Sequence, residues 1–60
     1  MYAKALWAFP GENETELPLA EGQRVVLTRE VTEFENWYYG VTLDGRAEGY
    51  FPSNYVEIER

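Results

Sequence analysis

The 60-residue sequence contains neither cysteine nor histidine. That excludes a disulfide framework and the usual zinc sites, and it fits a cytoplasmic setting. Basic residues are scarce as well. Five Lys and Arg stand against eleven Asp and Glu, a formal net charge of −6. Phosphate backbones and anionic membrane surfaces both demand a basic footprint, so nucleic acid and membrane are set aside as partners and a cationic partner is favoured. No apolar run approaches bilayer length, and the first residues do not read as a signal peptide, so Met1 is taken as an initiator. Helical periodicity, internal repeats and low-complexity tracts are missing too.

What the chain has in excess is rings. Five Tyr, three Phe and two Trp make up 17% of it. Sixty residues form one domain, 1–60, and a domain of that size buries only about 60% of its unfolded surface. Several rings must therefore stay at the surface, and exposed rings that cluster mark a contact surface.

Turn residues divide the chain into short extended pieces. Ala3 to Phe9 alternates weakly up to Pro10-Gly11 and reads as a first strand, with Ala3 and Ala5 on one close-packed face. Pro10 to Gly22 is a long loop carrying Glu12, Glu14, Glu16 and Glu21, in which Leu17 and Leu19 turn inward and Pro18 outward. Gln23 to Arg29 is a second strand with Val25 and Leu27 inside. A second acidic loop, Glu30 to Asn36, leads to a third strand, Trp37 to Leu43, whose two faces are both apolar. Asp44-Gly45 signals a hairpin, Arg46 to Phe51 is its returning strand, and Val56 with Ile58 forms the last.

Five short strands with no helix to cover them must hide their apolar faces against one another. An all-β fold follows, either two small sheets packed orthogonally or one sheet curled into a barrel. The segment Gly49-Tyr50-Phe51-Pro52-Ser53-Asn54-Tyr55-Val56 organises one side of it. Pro52 cannot donate a ladder hydrogen bond, and Ser53-Asn54 can bond their own backbone, so a tight turn is expected before Val56. Tyr50, Pro52 and Tyr55 then crowd one spot, either as a contact surface or as the cap of a small core.

At these residues the chain resembles a Src homology 3 (SH3) domain over essentially its whole length. Ala5-Leu6-Trp7-Ala8-Phe9 is similar to the family's opening Ala-Leu-Tyr-Asp-Tyr, and Glu16-Leu17-Pro18-Leu19 with Gly22 to its next motif. Trp37 matches the tryptophan that opens the third strand, with the small Gly40 three residues on, and Gly49 to Val56 matches the closing motif without a gap. The resemblance implies a five-stranded SH3-like barrel of two orthogonally packed sheets. It also implies a monomeric, non-catalytic, cofactor-free module that binds Pro-x-x-Pro segments in the polyproline II conformation.

The implied groove lies between the two acidic loops. Trp7 and Tyr55 would line one proline slot, and Phe9, Trp37, Tyr50 and Pro52 the next. Glu14 and Glu16, with Glu12 or Glu35 as helpers, would grip a flanking Arg or Lys in a third pocket walled by Trp37. Asn54, the Trp37 ring N–H and the Tyr55 hydroxyl would donate to peptide carbonyls. The chain departs from the pattern at Trp7, Ala8 and Phe9, which stand where the family has Tyr, Asp and Tyr. A narrower resemblance, through Phe9-Pro10-Gly11, Glu16-Leu17-Pro18-Leu19, Thr28-Arg29-Glu30 and Leu43-Asp44-Gly45 to Glu48-Gly49, is to the domain in fungal class I myosin tails. That implies proline-rich actin-assembly regulators as partners.

Other readings compete with this one. Eleven carboxylates could supply an acid/base pair, but a domain this small offers no deep cavity in which to shift a pKa, which argues against an enzyme. A small nucleic-acid-binding barrel would suit the rings and not the charge. A structural module whose aromatic patch docks on its own parent chain or on a second copy remains the alternative.

Overall fold

The computed structural model describes residues 1–59, so Arg60, the last residue of the expected domain, lies outside them. Five antiparallel strands form the frame: β1 Tyr2–Ala5, β2 Arg24–Arg29, β3 Trp37–Thr42, β4 Glu48–Pro52 and β5 Val56–Glu59. They lie in one hydrogen-bonded sheet in the order β4-β3-β2-β1-β5. Of the two packings open from the strand pattern, the structure adopts the single curled sheet. Its inner face carries Ala3 and Ala5 from β1, Val25 and Leu27 from β2, Phe51 from β4 and Val56 from β5, all buried. Leu17 and Leu19, from the loop between β1 and β2, and Phe9 complete this core.

Two glycines let the curl close. A Cβ on Gly40 would stand 2.7 Å from the Val26 carbonyl oxygen and 2.9 Å from the Phe51 ring. One on Gly49 would stand 2.7 Å from the Thr15 carbonyl oxygen and 2.9 Å from the Leu17 nitrogen. The first loop can thus lie directly on β4, where Leu17 N–H donates to Tyr50 O at 2.8 Å and Tyr50 N–H donates to Thr15 O at 2.9 Å. Those bonds cover an edge that would otherwise present unpaired backbone groups.

Element bounds differ from the sequence reading where the backbone changes partner. The first strand stops at Ala5 because Leu6 N–H turns to the Tyr55 carbonyl, and Phe9 pairs again only with Leu19. The returning strand of the hairpin begins at Glu48, two residues later than expected. Thr42 and Ala47 close the turn first, and Thr42 donates its hydroxyl to Asp44 at 2.6 Å. That bond, with the Arg46 backbone N–H, holds the Asp44 carboxyl below its ordinary pKa. Pro52 ends β4 opposite Trp37, and the expected tight turn is a 3-10 helix over Ser53–Tyr55.

Candidate functional site

The two loops and the 3-10 turn meet along one side of the barrel. There the rings touch edge to face in a line: Trp7 to Tyr55 at 6.0 Å, Tyr55 to Phe9 at 5.7 Å and Phe9 to Trp37 at 5.9 Å between centroids. Such pairs favour this geometry and contribute about 0.5–1.5 kcal/mol each beyond burial. Trp7 is 56% exposed, while Tyr55, Trp37 and Pro52 are half-buried. Phe9 departs from the expectation of a slot-lining ring: it is only 7% exposed and belongs to the core. Its backbone bridges Leu19, which draws the ring inward, so Phe9 underpins the shelf formed by Trp37 and Tyr55.

Tyr50 stands with other neighbours. Its ring meets Phe34 at 5.1 Å and Tyr39 at 4.8 Å, and Arg29 lies 4.4 Å over the Tyr39 ring. Its hydroxyl donates to Glu33 Oε1 at 2.9 Å, which raises its pKa above the ordinary phenol value, helped by desolvation and by the nearby Glu33 charge. Beside it opens a cavity of about 280 Å³ lined by Asn13, Thr15, Glu16, Phe34, Trp37 and Tyr50. Of the residues assigned to a third pocket, Glu16 and Trp37 come together here, joined by Tyr50, which the resemblance puts in the second proline slot. Glu14 and Asn54 are exposed and lie outside that lining.

Glu16 is placed by its own loop. Oε1 accepts the Glu12 backbone N–H at 2.7 Å and Oε2 accepts Asn13 Nδ2–H at 3.2 Å. Glu12 thus contributes a backbone N–H to the placement of Glu16, and Glu12 and Glu35 are both exposed. Asn13, Thr15, Glu33 and Phe34 are the site residues that pattern reasoning missed. Phe34 had a signal: it is the one ring in the second acidic loop. Thr32 knots that loop: its hydroxyl oxygen accepts the Phe34 N–H at 3.1 Å, and its one proton is shared between Phe34 O at 2.8 Å and Trp37 O at 3.0 Å, so Phe34 is held over the cavity while 51% exposed.

Fold and surface together define the class: a small five-stranded barrel carrying an aromatic shelf bordered by carboxylates. The variant SH3 domain family model matches residues 5–57, and the chain belongs to the SH3 domain family. It is 49% identical over 55 residues to endophilin-A1 of mouse, Mus musculus, covering 92% of this chain and 14% of that protein. It is 44% identical over 59 residues to mouse vinexin, covering 97% of this chain and 8% of vinexin. The SH3 domain of yeast NBP2 superposes with a TM-score of 0.88 at 30% identity, covering 98% of this chain and 97% of that one. The chain thus spans a small part of the length of these curated relatives. SH3 domains are non-catalytic interaction modules that generally bind proline-rich partners.

Proposed function

We propose that this domain binds Pro-x-x-Pro segments in the polyproline II conformation, with a flanking Arg or Lys seated in the cavity beside Glu16. The observation that carries this reading is the continuity of the site. The ring line from Trp7 through Tyr55 and Phe9 ends at Trp37, and Trp37 also walls the acid-bordered cavity. A polyproline helix has three residues per turn and no internal hydrogen bonds, so its prolines project as ridges that fit between flat rings. Trp7, Tyr55, Trp37 and Pro52 form the shelf, Tyr50 and Glu16 the cation pocket, and Asn54 and Glu14 its periphery.

The segment is pre-extended, so little chain entropy is lost on binding. Carboxylates at an exposed rim mainly speed encounter and fix which end of the peptide goes where. Cytoplasmic proline-rich proteins are the partner class, bound by a monomer. Actin-assembly regulators are the members suggested by the resemblance to class I myosin tails.

The test is a fluorescence titration with a proline-rich, Arg-flanked peptide, since Trp7 and Trp37 both stand in the site. Native protein should respond saturably, and Trp37→Ala should lose binding with only a small fall in melting temperature. Retained binding in a variant whose melting temperature has collapsed would assign Trp37 to the core and sink the reading.

A further inference from the structure

The cavity beside Trp37 combines negative charge with polar groups that are already engaged. Both Glu16 oxygens accept N–H groups of their own loop. Thr15 donates its hydroxyl to Asn13 Oδ1, and Tyr50 donates its proton to Glu33. What faces an entering side chain is the charge of Glu16, with one acceptor site on each oxygen already taken, and three ring surfaces, Phe34, Trp37 and Tyr50. A cation is attracted to a ring face without having to donate a hydrogen bond, and methyl groups on nitrogen lower the hydration it must shed.

We infer that this pocket recognises a lysine by charge and ring contact, so that it accepts the N-trimethylated form of that lysine beside a proline core as well as the unmodified one. The inference rests on the peptide-binding reading given above. At about 280 Å³ the cavity lies just below the range of drug-sized ligand sites, which leaves room for a trimethylammonium head. Phe34 is the discriminating wall. Half-exposed and in edge contact with Tyr50, it supplies ring surface without contributing to the core.

The test compares three proline-rich peptides that differ only in the flanking residue: lysine, N-trimethyl-lysine and norleucine. The trimethyl-lysine peptide should bind at least as tightly as the lysine peptide, and both about two- to fivefold more tightly than norleucine. In Phe34→Ala the gap between trimethyl-lysine and norleucine should narrow. A trimethyl-lysine peptide that falls to the norleucine level in the native protein overturns the inference, because hydrogen-bond donors would then be required. A gap untouched by Phe34→Ala overturns it as well. Failure of all three peptides to bind would instead remove the peptide-binding reading, and this inference with it.

Discussion

Two acidic loops face each other across the cavity, and they are built in opposite ways. The loop that runs from β1 to β2 buries Leu17 and Leu19, lays its backbone on β4 and spends the Glu16 carboxylate on its own N–H groups. The loop between β2 and β3 buries no side chain: Val31 is 88% exposed, and Thr32 and the Tyr50–Glu33 bond tie it down. Local stability follows buried apolar contact and backbone bonding, so the first wall is fixed and the second is the one able to adjust to a ligand. Similar charge content thus conceals a mechanical difference. Position comes from one loop and adaptability from the other.

The strongest way to break that contrast is to push the first loop off the barrel. Gly49→Val places side-chain atoms where the Thr15 and Leu17 backbone now lies, and backbone cannot swing aside as a side chain can. We expect a loss of about 1–3 kcal/mol or more, a large fraction of what a 60-residue domain has. Val31→Ser in the second loop should stay within about 0.5 kcal/mol. Denaturant melts of the two variants give the comparison directly. Equal losses would mean that the second loop carries structure its exposure does not reveal.

The difference between the loops also explains what could be read from the sequence. Strands were legible where branched residues run between turn signals, as in Val25-Val26-Leu27-Thr28, and inward facing was legible at Ala3, Ala5, Leu17 and Leu19 because each pair is spaced by two. The family resemblance proposed Trp7, Trp37, Tyr50, Pro52 and Tyr55 as groove residues, and in the structure the ring line and the cavity share Trp37. The burial of Phe9 was not legible, since it depends on the distant bridge to Leu19, which no local pattern encodes. The role of Gly49 was hidden for a similar reason: its crowding comes from backbone more than thirty residues earlier. The contacts of Phe34 and Glu33 with Tyr50 join the second acidic loop to β4, a tertiary pairing that no local pattern encodes.

A second, smaller effect sharpens the comparison at the level of charge. Glu16→Gln removes the charge held by the fixed wall, and Glu33→Gln removes one from the adjustable wall. Against an Arg-flanked proline peptide, Glu16→Gln should weaken binding by about two- to fivefold, the range of an exposed ion pair, and the loss should shrink as salt is added. With Arg replaced by Ala in the peptide, the same variant should lose little. Glu33→Gln should give the smaller deficit of the two, because its carboxylate borders the Tyr50 hydroxyl and not the cavity. Equal losses with and without the peptide Arg would take Glu16 out of the cation pocket.

The smallest effect reports on the adjustable wall alone. The Tyr50 pKa is raised because its hydroxyl donates to Glu33, with desolvation and the Glu33 charge adding to the shift. A raised pKa in the folded state means the bond contributes fully below the ordinary phenol value of 10.0 and is lost as pH climbs through the raised one. Alkaline titration followed by tyrosinate absorbance should therefore contain a late-ionising component from Tyr50, which Tyr50→Phe deletes and Glu33→Ala moves back toward the ordinary value. Loss of that one bond should leave the unfolding midpoint at neutral pH nearly unchanged, because nothing in the second loop is buried beneath it. If Glu33→Ala left the titration curve as it was, the tie between Tyr50 and the second loop would not exist in solution. Phe34 would then be held over the cavity by the Thr32 knot, the Trp37 N–H and its ring contact with Tyr50.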